Sequence, residues 1–145
     1  MIQSVLVVCV GNICRSPIGE RLIARACPHL RVESAGIAAL VGHPIDETAG
    51  KTAQAAKLET NGHVARQFTA DLATEFDLIL ALEKGHIRVI TEMAPAASGK
   101  TMLLGQWLTQ QEIADPYRKS AEFHALVYDQ LAAASQAWAK KLGGA

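Results

Sequence analysis

The stretch from Val5 to Pro17 reads VLVVCVGNICRSP and decides the fold. Its first part, Val5–Val8, is a β-branched apolar run typical of a strand buried on both faces. Ser16 and Pro17 have the pattern of a helix N-cap followed by proline at the first helical position. The stretch therefore predicts a strand, a tight loop over Cys9–Ser16, and a helix.

The remainder of the chain repeats this alternation of strands and helices. Short apolar runs predict three more strands, and alanine-rich or amphipathic segments predict three more helices. The strands are expected at Arg31–Ser34 (ended by Gly36), Asp77–Leu82 and Thr101–Leu104. The helices are expected at Asp46–Leu58, from Glu83 to about Met93 and from Ser120 to Gly143. Asn61-Gly62 marks a turn, and Ala94-Pro95 with Ser98-Gly99 marks a loop. The alternation favours an α/β fold, a three-layer αβα sandwich around a mostly four-stranded parallel sheet. Ligands of such sheets bind beyond the carboxyl ends of the strands, where the loop at Cys9 begins.

The composition predicts one globular domain, residues 1–145. Of the 145 residues 50% are hydrophobic and only 19% are charged, and 14 basic side chains balance 14 acidic ones. This balance excludes a disordered polyelectrolyte, and the nearest basic cluster, Lys140-Lys141, is too small for nucleic acid or an anionic membrane. Three cysteines make a poor disulfide scaffold, and Met1–Val10 lacks the features of a signal peptide or a membrane span. A reducing, cytoplasmic location is therefore expected, with no nucleic-acid partner and no membrane insertion.

The loop Cys9–Ser16 has the features of an anion-binding nest. Gly11 and Asn12 are the residue types that most readily adopt left-handed backbone angles, which lets successive N–H groups point inward. The helix beginning at Pro17 adds the positive end of its dipole. A Cys9 thiol at the floor of such a nest is favoured as the thiolate. The predicted phosphate-binding loop consists of Val10, Gly11, Asn12, Ile13, Cys14 and Ser16.

Arg15 and Ser16 complete a site for a phosphate dianion above a nucleophilic sulfur. The planar guanidinium of Arg15 suits two oxygens of a tetrahedral anion, and the Ser16 hydroxyl can hydrogen-bond the sulfur. A nucleotide-binding loop would need a lysine next to Ser or Thr, yet the first lysine is Lys51, and no acidic cluster follows that could hold magnesium. No metal and no cofactor are therefore expected.

Attack by sulfur on a phosphate monoester needs a proton donor for the departing oxygen, which contributes about 10²–10⁴ in rate. The best candidate is Asp115, in a segment that reads Ala114-Asp115-Pro116-Tyr117 just before the last helix. Pro116 stiffens this loop, and Tyr117 offers an aromatic wall for a substrate ring. By itself Asp-Pro is a common turn signal, and its place in the chain does not put it beside Cys9.

Together, Cys9–Pro17 and Asp115-Pro116-Tyr117 resemble the low-molecular-weight protein tyrosine phosphatases. The resemblance extends over essentially the whole chain, including Ser34-Ala35-Gly36 and the pattern His63-x-x-Arg66-Gln67. It implies that Cys9 is the nucleophile, Arg15 the phosphate clamp and Asp115 the general acid of a metal-free, two-step hydrolysis of phosphotyrosine through a cysteinyl phosphate. It also implies that the loop is supported by Asn12, Ser16, Ser34 and His63.

Two departures from the family pattern bear on the substrate. Where many members carry a large aromatic residue on the cleft wall, this chain has Ile37–Val41, with Leu40 the bulkiest candidate, and Arg118 replaces a second tyrosine after Tyr117. Asp115–Ser120 (DPYRKS) is similar to the bacterial branch associated with exopolysaccharide and capsule export. This similarity implies, by analogy, that the substrate is the tyrosine-rich tail of a bacterial membrane tyrosine kinase.

Two other functions use the same loop and remain open. An arsenate reductase of this fold would pass oxidation to a cysteine pair near the third strand and the following helix, and residues 77–104 contain no cysteine. A non-catalytic phosphotyrosine-binding module would be expected to have lost Cys9, Arg15 or Asp115, and all three are present.

The remaining thiols and imidazoles have less specific interpretations. Cys14, on the same loop as Cys9, is either a resolving thiol that pairs with Cys9 under peroxide or a packing residue. Cys27 is expected to be a core residue, and no recognised zinc spacing links the cysteines to His29. The side chains expected to be solvated are His43, His86 and His124.

Overall fold

Four parallel strands form the sheet predicted from the sequence. The computed structural model describes residues 1–144. Its strands are β1 (Ser4–Cys9), β2 (Arg31–Gly36), β3 (Leu78–Ala81) and β4 (Thr101–Leu103). They lie in the order β2-β1-β3-β4, and every neighbouring pair is parallel, so their carboxyl ends share one edge. The α/β class and the four-stranded parallel sheet are confirmed.

Helices cover both faces of the sheet. They are α1 (Ser16–Ala26), α2 (Glu47–Ala55), α3 (Ala70–Ala73), α4 (Lys84–Met93), a 3-10 helix (Pro95–Lys100) and α5 (Ala121–Lys141). Buried side chains of α1, α2 and α5 pack on one face, and those of α3, α4 and the 3-10 helix pack on the other. The three-layer αβα arrangement is therefore confirmed. Within residues 1–144, no helix combines the length and the apolar composition that crossing a bilayer requires.

β1 is a central strand and is buried along its whole length. Val5 and Val7 belong to the core beneath α1 and α5, whereas Leu6 and Val8 belong to the core on the opposite face. Successive side chains of a strand alternate between faces, so a strand covered on both sides needs an unbroken apolar run. This requirement explains the sequence of Val5–Val8.

Close approach of two main-chain segments positions the loop that follows β1. Gly36 pairs with Cys9 where β2 and β1 end, and a Cβ at position 36 would collide with the carbonyl oxygen of Val10. The chain after β2 then runs beside the loop, because the N–H of Leu40 donates to the carbonyl oxygen of Gly11 (3.1 Å). Glycine at position 36 is therefore required for the two segments to touch.

Element boundaries differ from the prediction at several places. Gly36 belongs to β2 rather than breaking it, and the loop expected around Ala94–Gly99 contains the 3-10 helix. The helix expected over Asp46–Leu58 ends at Ala55, because Lys57 has a φ of 61°. The helix α3 was not predicted, since its four residues are too few to show a helical period.

Two of the three histidines expected to be solvated are buried. His43 is exposed as expected, but His86 and His124 are only 6% and 3% exposed. His86 lies one turn before the buried Ile90 of α4, and His124 lies one turn before the buried Val127 of α5. The expectation was wrong because both residues occupy the apolar stripe of their helix at spacings of three or four.

Candidate active site

The backbone N–H groups of residues 10–15 form a set of donors, and residues 12–15 of this loop are buried. None of them donates a hydrogen bond to another group within residues 1–144, although most of this loop is buried. Buried N–H groups in folded proteins almost always have an acceptor, so the loop offers donors for an acceptor that the protein does not supply. The loop leads into α1 at Ser16, where the helix dipole adds positive potential.

Cys9 lies at the carboxyl end of β1 and contacts a hydroxyl group. Its Sγ is 2.9 Å from Ser16 Oγ, which in turn accepts a hydrogen bond from Asn12 Nδ2 (2.8 Å). The Ser16 hydroxyl can donate to the carbonyl oxygen of Ala35 (3.5 Å) or to the sulfur; a Cys9 thiolate can only accept and lies closer, so it takes the hydroxyl hydrogen. Ser16 was expected to be the N-cap of the helix, but that position is held by Arg15, without a side-chain capping bond. The Ser16 side chain instead contacts the sulfur of Cys9.

Asn12 bends the loop. Its φ of 59° is left-handed, as predicted, whereas Gly11 lies outside the left-handed region, so that part of the expectation was wrong. A left-handed angle is unfavourable for a residue with a Cβ and persists only where its surroundings hold it. Asn12 is fully buried, and those surroundings are its own hydrogen-bond partners.

Four groups hold Asn12, and they include both predicted supporting residues outside the loop. Besides donating to Ser16, Asn12 Nδ2 donates to Ser34 Oγ (3.0 Å), and Asn12 Oδ1 accepts from the N–H of Arg66 (2.9 Å). His63 Nε2 lies 2.6 Å from the carbonyl oxygen of Asn12. Ser34 Oγ donates onward to Glu20 Oε1 (2.6 Å), a partner that the sequence analysis missed. The structure thus brings Ser34 and His63 to the loop.

Arg15 is a buried cation, 1% exposed, whose guanidinium is held at one end. Its Nη1 donates to Glu83 Oε2 (2.5 Å) and to the carbonyl oxygen of Ile113 (2.7 Å), which uses both hydrogens of that nitrogen. Nε and Nη2 carry the other three hydrogens and make no hydrogen bond within residues 1–144. This pair of nitrogens is the fork that binds two oxygens of a tetrahedral anion.

Glu83 is a partner of Arg15 that the sequence analysis missed. It follows β3 at the carboxyl edge of the sheet, and a charged residue at that edge was the available signal. His86 Nε2 lies 3.5 Å from the same Glu83 oxygen that Arg15 contacts. Burial, and next the positive charge of Arg15, lower the pKa of His86 below its usual value, so the imidazole is neutral near pH 7.

Asp115 lies beside the guanidinium of Arg15. Its Oδ2 is 3.8 Å from Arg15 Nη2, and its Oδ1 accepts a hydrogen bond from the N–H of Tyr117 (3.0 Å). The side chain is 49% exposed, so it can exchange protons with solvent. The resemblance had placed Asp115 near Cys9 and Arg15, and the structure brings it there.

One cavity of about 190 Å³ is lined by all three predicted catalytic residues, by both predicted cleft residues and by part of the predicted phosphate-binding loop. Its lining consists of loop residues, two wall residues and the acid loop: Cys9, Val10, Gly11, Ile13, Cys14, Arg15, Ala38, Leu40, Asp115 and Tyr117. Leu40 and Tyr117 therefore lie on the cleft, as predicted. A larger and more open cleft, of about 460 Å³, lies between α2 and the turn near Asn61 and contains none of the predicted site residues.

The other two cysteines differ in their surroundings. Cys14 is buried at the cavity, and burial, followed by the negative charge of Asp46, raises its pKa well above the usual range. Cys14 is therefore a thiol rather than a thiolate at neutral pH. Cys27 is fully buried with its Sγ 3.9 Å from the carbonyl oxygen of Ala139, as expected of a core residue.

Comparison with known proteins identifies the family of this chain. The sequence model of low molecular weight phosphotyrosine protein phosphatases matches residues 4–145. The chain belongs to this family. The phosphatase is 54% identical over 140 residues to the low molecular weight protein-tyrosine-phosphatase Etp of Escherichia coli K12, with 97% of this chain and 95% of Etp covered. It is 50% identical to the probable low molecular weight protein-tyrosine-phosphatase AmsI of Erwinia amylovora, with 98% of this chain and 99% of AmsI covered.

A solved structure gives the same result for the fold. The crystal structure of the tyrosine phosphatase Wzb from Escherichia coli K30 in complex with sulphate matches with a TM-score of 0.97 at 50% identity, covering 98% of this chain and 99% of Wzb. These relatives confirm the family and the bacterial branch that the sequence resembles. The chain is accordingly a protein-tyrosine-phosphatase, a phosphoric monoester hydrolase. The relatives give no support to an arsenate reductase or to a non-catalytic binding module.

Proposed function

We propose that residues 1–145 act as one catalytic domain that hydrolyses phosphotyrosine through a cysteinyl-phosphate intermediate. The observation that carries this proposal is the single cavity shared by Cys9, Arg15 and Asp115, beside the unpaired N–H groups of residues 10–15. A sulfur nucleophile, donors for the equatorial oxygens and a carboxyl group are the parts that metal-free phosphoryl transfer from an aryl ester requires.

In the first step, the Cys9 thiolate attacks phosphorus, and the S–P bond forms as the bond from phosphorus to the tyrosine oxygen breaks. Arg15 binds two equatorial oxygens through Nε and Nη2, because Nη1 is held by Glu83 and Ile113. The loop N–H groups donate to the same oxygens and stabilise the charge of a loose transition state. Asp115 gives its proton to the phenolic oxygen, which leaves poorly without it because phenol has a pKa of about 10.

In the second step, water replaces the sulfur on phosphorus. The Asp115 carboxylate takes a proton from a water molecule whose oxygen attacks the cysteinyl phosphate, and the P–S bond breaks to release inorganic phosphate. The Ser16 hydroxyl, 2.9 Å from the sulfur, stabilises the departing thiolate. The enzyme thereby returns to its starting protonation state.

The walls of the cavity favour an aromatic ester. Leu40 and Tyr117 are 38% and 37% exposed, so apolar surface is available on which a phenyl ring can stack. Cys9, at 3% exposure, lies below these walls. A phosphoserine side chain is shorter than phosphotyrosine and does not carry phosphorus as deep.

We propose further that the physiological substrate is the phosphorylated, tyrosine-rich tail of a bacterial membrane tyrosine kinase of exopolysaccharide or capsule synthesis, met in the cytoplasm. The similarity of Asp115–Ser120 to the bacterial branch supports this assignment. Charge supports it as well, because the exposed Arg118 and Lys119 directly follow Tyr117 of the cavity lining and a multiply phosphorylated tail is strongly acidic. The Arg118 guanidinium lies 5.2 Å from the centre of the Tyr117 ring, at the mouth of the cleft.

Turnover of p-nitrophenyl phosphate and of a tyrosine-phosphorylated tail peptide tests both parts of the proposal. Cys9→Ser should abolish turnover of both substrates while phosphate or sulfate still binds the loop. Cys27→Ser is the matched control, because it replaces a buried cysteine that does not line the cavity. Near-normal turnover by Cys9→Ser would overturn the assigned nucleophile. Equal rates for the tail peptide carrying phosphoserine in place of phosphotyrosine would overturn the assigned substrate class.

A further inference from the structure

His86 is a buried ionisable side chain to which the proposed mechanism gives no role. It lies in the first turn of α4, is 6% exposed, and its Nε2 is 3.5 Å from Glu83 Oε2. That oxygen also accepts the 2.5 Å hydrogen bond from Arg15 Nη1. The three side chains therefore form one line of contacts that ends at the guanidinium lining the cavity.

The surroundings of His86 keep its imidazole neutral. Arg15 faces it from the start of α1, and three carboxylates oppose that charge, Glu83 before α4 and Glu112 and Asp115 in the loop before α5. Burial and Arg15 together outweigh the carboxylates and lower the pKa of His86, and the positive end of the α4 dipole acts in the same direction. Its Nδ1 has no hydrogen-bond partner within residues 1–144, so a second ring proton would be buried without an acceptor.

We propose that His86 is a positioning residue: its Nε2–H faces the Glu83 carboxylate and keeps it against Arg15 Nη1, so that Nε and Nη2 of Arg15 face the phosphoryl group. This inference rests on the proposed role of Arg15 as the phosphate clamp. The distance of 3.5 Å makes the contact electrostatic rather than a short hydrogen bond. A neutral ring can orient the carboxylate without competing with the guanidinium for its charge, whereas a cation in the same place would compete.

Glu83 needs such support because it is far more exposed than the group it holds. Its side chain is 38% exposed, against 2% for Arg15. A carboxylate at the edge of solvent has other rotamers and water partners available, and leaving Arg15 would strip a buried cation of its shortest hydrogen bond. A small tilt of the guanidinium would then misdirect the two nitrogens that bind the phosphoryl oxygens. Misplacement of this kind lowers the rate of the reaction strongly.

Two variants that cannot titrate provide the test, His86→Gln and His86→Asn. The side-chain nitrogen of glutamine reaches the place of the imidazole Nε2, whereas that of asparagine reaches only the place of Nδ1. We expect His86→Asn to lower kcat/KM about tenfold, equally for p-nitrophenyl phosphate and phenyl phosphate, because Arg15 acts on the phosphoryl group and not on the leaving group. Inhibition by sulfate should weaken by the same factor, and His86→Gln should stay within about threefold of the wild type.

A variant at Glu83 shows whether His86 acts through that residue. In a Glu83→Gln background, adding His86→Asn should lower kcat/KM by less than about twofold, because the carboxylate to be positioned is gone. His86→Phe keeps a buried ring without any N–H and should show the same loss as His86→Asn, so the test stands even where one variant does not fold. Thermal unfolding reports the folding of each variant.

Several outcomes would overturn the inference. They are unchanged sulfate inhibition in His86→Asn, equal losses in His86→Asn and His86→Gln, or losses at His86 and Glu83 that simply add. Failure of the proposed function would look different, since the wild type would then not turn over either phosphate ester, or Arg15→Lys would retain full activity.

Discussion

The sulfur of Cys9 and the hydroxyl of Ser16 lie 2.9 Å apart, and the oxygen of that hydroxyl accepts a hydrogen bond from the Asn12 amide. A thiolate at Cys9 can only accept, so it takes the hydroxyl hydrogen in preference to the carbonyl oxygen of Ala35, which lies 3.5 Å from Ser16 Oγ. A donor in this place stabilises a thiolate both before it attacks phosphorus and when it leaves.

Ser16→Ala should slow hydrolysis of the cysteinyl phosphate more than its formation, because the thiolate is the leaving group of the second step. A hydrogen bond to a charged group contributes about 1.5–3 kcal/mol, which corresponds to a loss of roughly 10-fold to 150-fold in kcat. Rapid-mixing kinetics with p-nitrophenyl phosphate should show a burst of p-nitrophenol that exceeds the burst of the wild type. Ser135→Ala is the control, since Ser135 is a buried hydroxyl of α5 away from the cavity.

Asp115→Ala should slow esters with poor leaving groups far more than esters with good ones. Phenolate needs the proton that Asp115 donates, so phenyl phosphate should lose about 10²–10⁴ in kcat/KM, and p-nitrophenyl phosphate much less. A series of aryl phosphates measures this as a steeper dependence of rate on leaving-group pKa. Asp71→Ala, at an exposed position of α3, should leave the series unchanged. Equal slowing across the whole series would remove Asp115 from the role of proton donor.

Asn12→Gly and Asn12→Ala should differ in stability although both lose the same side-chain hydrogen bonds. Loss of the bonds to Ser34 and Arg66 leaves buried groups unpaired, so each variant should lose about 2–4 kcal/mol in free energy of unfolding. Alanine must additionally adopt the left-handed φ of 59°, which costs about 1 kcal/mol more than in glycine. Urea unfolding measures the difference, and equal stabilities would show that the backbone angle is not maintained in the variants.

Acid should destabilise the wild type more than His86→Gln. Because the pKa of His86 is lowered in the native protein, the unfolded chain takes up the proton at a higher pH than the folded one. Stability is therefore fully present above about pH 6.5 and falls as the pH decreases below it, by at most about 1.4 kcal/mol per pH unit from this group. Urea unfolding at a series of pH values should show the two proteins diverging below about pH 6.5, whereas parallel curves would show that His86 titrates alike in both states.

Mild peroxide should oxidise Cys9 before Cys14, because burial and Asp46 raise the pKa of Cys14 and keep it protonated. We expect the sulfenic acid of Cys9 to condense with the Cys14 thiol, forming the S–S bond and releasing water. Mass spectrometry should show loss of two hydrogens in the peptide that holds both cysteines. Cys14→Ser should instead progress to the sulfinic acid at Cys9. An absent bridge in the wild type would leave Cys14 as a packing residue.

The sequence predicted those parts of the site whose structure is local. Cys9, Arg15 and the intervening bend lie on one short loop, so a strand, an anion-binding turn and a helix start were enough to place them. Asp115 was different, since Asp-Pro alone indicates only a turn, and the family resemblance supplied its role.

Long-range partners of Arg15 could not be predicted in the same way. Glu83 and Ile113 are separated from it by 68 and 98 residues, and no local pattern distinguishes a glutamate that pairs with a buried cation from one that faces water. The burial of His86 could have been predicted from the sequence, because His86 precedes Ile90 by one turn on the inner face of α4. The polarity of histidine misleads here, because its position in the helical stripe decides its burial.

The main-chain oxygen of Ile113 anchors the guanidinium, and two positions later the chain carries the carboxyl group of Asp115. Binding of the phosphoryl oxygens by Arg15 and donation of the proton by Asp115 thus both depend on the same backbone segment between β4 and α5. Inserting or deleting one residue in this segment would displace both the Ile113 carbonyl oxygen and the Asp115 carboxyl group. The length of the connection therefore cannot change for one step of the reaction without affecting the other.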